Sequence, residues 1–190
     1  AQPSGGSAVS FETTDRHGAP LTLRGVLYGP QGAPKAAVVL LHSSGGWQDA
    51  RQGHYGRTFS AAGHVVLAVD SFGPRGIVGT TDDQSQAGSF EMALDALAAR
   101  RYLAGAFPQI DTFVVMGFSK GGLATLFTAD RTFHPSEKER FSAAIALYPS
   151  CAFRARAPKP VGRVFMRLAG REDYSGVKPC EEWAAAYAAA

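Results

Sequence analysis

The chain has 190 residues, 45% of them hydrophobic and 11% aromatic, and a net charge of +3. That length suits one domain with a substantial core, and no apolar run approaches the ~20 residues that a membrane span needs. The small basic excess, gathered around Arg154, Arg156, Lys159, Arg163, Arg167 and Arg171, reads as a solvated face, and no aromatic interleaving or motif accompanies it. A small-molecule partner is therefore expected, and neither nucleic acid nor membrane.

Taken in chain order, Ala1–Ser7 is polar and lacks a basic-then-apolar leader, as in a chain whose signal peptide has been removed. Val9–Thr13 and Leu21–Tyr28 flank the turn-rich Asp15-Arg-His-Gly18 and read as an antiparallel pair. Ala36–Leu41 is a buried strand, Arg51–Ala62 a helix closed by Gly63, and Val65–Val69 the next strand. Ser71–Gly88 is a long loop. Phe90–Ala104 is helical, with Met92, Leu94, Leu97 and Leu103 as core contacts. Phe113–Met116 is a strand followed at once by a helix. Ala143–Leu147 and Val164–Leu168 are the last strands, and Cys180–Ala190 is an alanine-rich helix. Cys151 and Cys180 each lie beside a predicted loop near the sheet end. They are assigned to one disulfide, which with the N-terminus points to a periplasmic or secreted protein; two free thiols and a cytoplasmic location are the alternative.

Strands alternating with helices after a leading hairpin indicate an α/β fold with a mostly parallel sheet and helices on both faces, in a single domain over 1–190. Sites in such sheets lie beyond the carboxyl ends of strands. His42–Gly46, Asp70–Gly76, Ser119 and Gly170–Asp173 all follow predicted strands there.

Gly117-Phe118-Ser119-Lys120-Gly121 carries the chemistry. A G-x-S-x-G segment between a buried strand and a helix is a nucleophile elbow, in which glycines leave room around an exposed serine hydroxyl. The pentapeptide alone is weak, and a glycine-rich turn with a bystander serine is the plain alternative. A phosphate-loop spacing does not occur. Acyl transfer to serine builds negative charge on a carbonyl oxygen, which fixed backbone N–H groups stabilise. The Lys120 amide, at a helix N-terminus, supplies one donor. Ser44, in Leu40-Leu-His-Ser-Ser-Gly-Gly-Trp47, supplies the second, with Ser43 its neighbour. His42 belongs to this loop, as a substrate contact or by holding the loop with hydrogen bonds, and Trp47 walls an acyl pocket. Arg75 is a candidate for a substrate carboxylate, with a structural salt bridge as the alternative. Asp173, or Glu172 second, stands where the acid of a Ser, Asp/Glu, His order belongs. No metal or cofactor is expected.

Leu-His-Ser-Ser-Gly-Gly, Asp70-Ser-Phe-Gly-Pro-Arg-Gly76, Gly117-Phe-Ser-Lys-Gly-Gly122, Ala146-Leu-Tyr-Pro-Ser-Cys151 and Gly170-Arg-Glu-Asp173 through Cys180 together resemble the dienelactone hydrolase family of α/β-hydrolases, over roughly residues 20–187. The resemblance implies a three-layer α/β-hydrolase sandwich and an ester or lactone hydrolase. It makes Ser119 the nucleophile, Asp173 the acid, and Ser44 and Lys120 the backbone oxyanion donors. The enzymes that name the family use cysteine where this chain has Ser119, which argues against dienelactone as substrate.

A serine nucleophile needs a base. The five histidines, His17, His42, His54, His64 and His134, all precede Asp173, whereas the family places the catalytic histidine after one further strand. The expectation is a chain incomplete at its C-terminus, its last strand, helix and catalytic histidine supplied by a further or separate segment. A non-catalytic binding protein and an acyltransferase are the competing readings.

Overall fold

The computed structural model describes residues 5–133, 136–151, 158–170 and 177–190. The described strands are β1 (Ser7–Thr14), β2 (Pro20–Tyr28), β3 (Ala37–Leu41), β4 (Val65–Asp70), β5 (Phe113–Phe118), β6 (Ala143–Leu147) and β7 (Arg163–Arg167). They form one sheet in the order β1-β2-β4-β3-β5-β6-β7. β3 through β7 run parallel, and β1 and β2 add an antiparallel margin. Every residue of β3 is buried, as a continuous apolar run covered on both faces requires. The β1–β2 turn is closed by Asp15, whose Oδ1 accepts the N–H groups of His17 and Ala19, both at 2.8 Å.

The helices are α1 (His54–Ala61), α2 (Ser89–Ala106), α3 (Lys120–Thr128) and α4 (Lys178–Ala188). They make the expected three-layer α/β sandwich. On one face Met92, Leu97 and Leu103 of α2, Leu126 and Phe127 of α3 and Trp183 of α4 pack with Val39, Leu67 and Val115. On the other, Tyr55 and Phe59 of α1 pack against Tyr28, Leu40, Val66 and Phe118. Each such large side chain contributes roughly 1.5–3 kcal/mol. Leu94, expected in the core, is only partly buried at its margin. No described helix is long and apolar enough to cross a membrane.

The sequence places most elements to within a residue or two, and one differs in kind. The first helix opens as a π-helical turn over Asp49–Gly53 before α1 begins. α2 starts at Ser89 and runs to Ala106, because Glu91 accepts the Gly88 N–H at 2.6 Å and caps its first turn.

One part of the sheet is bare. Ile145 and Leu147 are half-buried on the α1 face. Phe165, paired with Ile145, is 56% exposed. No described helix covers this face, and among the described residues β7 pairs only with β6.

Cys151 and Cys180 form a disulfide spanning 29 positions, tying the segment after β6 to α4. Closing a loop of that size stabilises the fold by about 3–4 kcal/mol through the entropy of the unfolded chain. Replacing both cysteines by serine is expected to lower unfolding stability by that amount, read as a shift in the urea midpoint. An unchanged midpoint would contradict the assigned role.

Candidate active site

Ser119 sits between β5 and α3 with φ 52° and ψ −111°, a region that residues with a Cβ rarely occupy. Such strain persists only where the surroundings fix it. Here the Ser119 N–H donates to the Leu147 carbonyl at 2.9 Å, and the Leu123 N–H donates to the Ser119 carbonyl at 3.0 Å. Two glycines make the turn sterically possible. A Cβ on Gly117 would overlap the Gly121 carbonyl and lie 2.6 Å from Thr125 Oγ1. One on Gly121 would overlap the His42 carbonyl and lie 2.9 Å from that of Leu41. The G-x-S-x-G spacing thus fits its backbone closely, with a half-buried serine at the apex.

The same glycine brings in the second loop. β3 and β5 are parallel neighbours in which Leu41 faces Gly117, so the residues after each strand emerge side by side. Ser43 and Gly46 close a tight bridge around Ser44, and the first-turn amides of α3 have no partner within the helix. The amides of Ser44 and Lys120 therefore stand on adjacent loops at the carboxyl edge.

His42 holds the first of these loops. Its ring is fully buried. Nε2 accepts the Ser71 N–H at 3.1 Å, which leaves Nδ1 to donate to the Ser43 carbonyl at 2.8 Å. This pattern assigns a neutral ring, and its edge packs on Phe72 at 4.4 Å. His42 is therefore a scaffold for the loop, and the substrate contact is corrected: both nitrogens are occupied by backbone.

Burial holds the His42 imidazole below its ordinary value of 6.5, with the Ser43 bond opposing it. The unfolded chain takes up this proton first, so the contribution is present above about pH 6.5 and lost as pH falls toward the lower folded value. Urea melts between pH 5 and 8 are expected to show stability falling on the acid side, by up to ~1.4 kcal/mol per pH unit for one proton. His42→Gln flattens that limb; an unchanged slope would contradict the buried neutral ring.

Arg75 is a second correction. Its guanidinium forms a bidentate pair with Asp95 of α2 at 2.7 and 2.9 Å and donates to the Ser71 carbonyl at 2.7 Å. The two side chains are 11% and 0% exposed. Burial alone would lower Arg75, and the bonds to Asp95 more than offset it. A substrate carboxylate would have to displace Asp95, so Arg75 reads as structure. With His42 it forms a chain from the loop after β3 through Ser71 to α2.

Trp47 borders a cavity of about 380 Å³ with Arg24, Val26, Phe72 and Val78. Neither Ser119 nor any other residue of the elbow is in its lining. Trp47 Nε1 is buried without a hydrogen-bond partner among the described residues. The Lys120 side chain turns away from the apex: Nζ donates to Thr80 Oγ1 and to the Gln84 carbonyl, both at 2.9 Å. Two residues not foreseen from sequence stand beside Phe118. Arg51 lies 5.6 Å from its ring centroid and donates to Ser43 Oγ at 2.7 Å. Tyr148, 38% exposed, has φ 37° and lies 6.2 Å from the same ring. The Tyr-Pro after β6 was the available signal for Tyr148; Arg51 depends on the π turn, which leaves no mark in the sequence.

Asp173, Glu172 and His134 lie outside the described residues. His64 immediately precedes β4, at the end of the sheet away from Ser119. His54 begins α1 and packs on Tyr55 at 5.3 Å. His17 is exposed in the β1–β2 turn. Among the described residues no histidine hydrogen-bonds Ser119, and no group of three His, Cys, Asp or Glu side chains is placed to hold a metal.

Comparison with known proteins gives a consistent picture. Residues 23–182 match the dienelactone hydrolase family. No curated protein matches in sequence. Among solved structures, esterase 2 of Thermogutta terrifontis, phosphoramylated by tabun, superposes with a TM-score of 0.74 at 17% identity, covering 100% of this chain and 81% of that one. A thermostable carboxyl esterase from Bacillus coagulans, in complex with glycerol, gives 0.52 at 20% identity, covering 73% and 43%. The α/β-hydrolase GrgF from Penicillium sp. sh18 gives 0.53 at 22%, covering 76% and 46%. The chain thus spans less than half the length of the last two.

Proposed function

The chain belongs to the dienelactone hydrolase family, and on that premise we propose that it hydrolyses carboxylic ester or lactone bonds through an acyl-serine. The observation that carries this reading is the Ser119 backbone: a serine with φ 52° at a strand-to-helix apex whose flanking glycines admit no side chain. Ser119 Oγ attacks the carbonyl carbon as the base takes its proton, and the amides of Ser44 and Lys120 donate to the developing oxyanion. The intermediate collapses with loss of the alkoxide, which takes that proton and becomes the alcohol; water then gives a proton to the base and attacks the acyl-enzyme, which releases the acid and restores Ser119. In a lactone the departing alkoxide stays tethered to the acyl group. Asp173, on the segment after β7, is proposed to orient the base.

The base itself is proposed to come from a further segment seated on the edge of β7 that is unpaired among the described residues. Supporting this are the bare face of Ile145, Leu147 and Phe165, a cavity of about 500 Å³ that they line with Met166 and Arg167, and the greater length of the Thermogutta esterase. A non-catalytic binding protein on the same fold draws support from the lack of a histidine on Ser119 among the described residues. Mixing excess p-nitrophenyl acetate with the full-length protein separates the readings. A stoichiometric burst of nitrophenolate followed by turnover supports acyl-serine hydrolysis, and no burst and no turnover would sink it. Turnover that rises with added alcohol would mark an acyltransferase. The disulfide supports a periplasmic or secreted location, which fractionation of the native host tests.

A further inference from the structure

We propose that Lys120, beyond lending its backbone amide, is a positioning residue whose ammonium group fixes the spacing between the two halves of the oxyanion hole. The proposal rests on the serine-hydrolase reading above. Lys120 is 6% exposed, an uncommon burial for a lysine. Its two bonds go to Thr80 Oγ1 and the Gln84 carbonyl, both at 2.9 Å, in the loop between β4 and α2. Both of those residues continue to Ser44. The Thr80 N–H donates to the Ser44 carbonyl at 2.7 Å, and Ser44 Oγ donates to Gln84 Oε1 at 3.2 Å. One side chain therefore links the two residues whose amides are assigned to the oxyanion, through two short and separate paths. From the opposite side, Ser89 Oγ of α2 donates to the Lys120 carbonyl at 3.1 Å.

The chemistry suits a lysine. An ammonium has three donors on a flexible stem and no acceptor, and its charge strengthens both bonds to neutral oxygens. Phe72 flanks it, with the ring centroid 5.9 Å from Nζ. Burial lowers the Lys120 pKa, with Glu91 and Asp83 opposing, so the protein tolerates an unfavourable desolvation to keep the cation at this point. Oxyanion donors act only when aimed at where charge develops. A loop free to drift at Ser44 loses that aim without any loss of substrate contacts.

The test uses the full-length protein and two variants. Lys120→Met keeps the backbone amide and most of the packing and removes the donors. Gln84→Ala, at an exposed position, keeps the carbonyl that Lys120 holds and cuts only the side-chain arm to Ser44. The readouts are the second-order rate constant for labelling by a fluorophosphonate, and kcat and KM on one ester. Lys120→Met is expected to slow labelling and lower kcat by about 10-fold with KM within about 2-fold, less than the loss of a whole oxyanion donor. Gln84→Ala is expected to give a smaller loss of the same kind, about 3-fold. A tie that only stabilised the fold would lower the melting temperature and leave both rates unchanged well below it. Wild-type rates in Lys120→Met, with the wild type labelled normally, would overturn the proposal alone. If Lys120→Met does not fold, wild-type rates in Gln84→Ala would overturn it. A wild type that resists labelling would overturn the hydrolase reading as well.

Discussion

Ser119→Ala is expected to lower kcat/KM for any ester substrate by at least about 10⁴-fold, because the nucleophile and its base act as a unit. The variant should fold, since alanine meets the same backbone strain as serine. Ser119→Gly should be as inactive and more stable by about 1 kcal/mol or more, because glycine occupies φ 52° without penalty. The pair of variants ties strain to function: the strain is kept at the position that needs a side chain at the apex. Residual activity in Ser119→Ala within tenfold of wild type would place the nucleophile elsewhere.

Asp95→Asn is expected to give the largest loss of stability. It changes almost no volume and leaves the Arg75 guanidinium, 11% exposed, without its countercharge. Removing one partner of a buried pair typically costs about 3–5 kcal/mol. At this chain length that corresponds to a melting-temperature drop on the order of 10 °C. The double replacement Arg75→Met with Asp95→Leu should recover most of it, since the charged partner is no longer stranded. A drop below about 1 kcal/mol in Asp95→Asn would show that water relieves Arg75 and that the pair does not anchor the loop after β4.

The fold was legible because its signals are local. Val65–Val69 and Phe113–Met116 are uninterrupted apolar runs, and the elbow glycines sit at a spacing that few backbones need. The disulfide and the loop order were legible for the same reason. The partners of charged side chains were not. Arg75 follows a glycine-proline pair in a loop, as a ligand-binding arginine would, and only the packing of α2 brings Asp95 within 2.7 Å. His42 stands on the loop after β3, and its role depends on the Ser71 amide, 29 residues away. The Lys120–Thr80–Ser44 connection has no sequence signature, since Lys120 and Thr80 lie 40 positions apart and Thr80 lies in a loop without periodicity. Asp173 lies outside the described residues, so its role rests on its place after β7 and on the family pattern.

The central claim is that Ser119 is an activated nucleophile. The direct measurement is peptide mass spectrometry of the full-length protein after brief exposure to a fluorophosphonate, a reagent that reacts with activated serines. The account predicts one adduct per chain, on the peptide containing Gly117-Phe-Ser119-Lys120, and none after denaturation. An unmodified Ser119 under conditions that label a control serine esterase would contradict it.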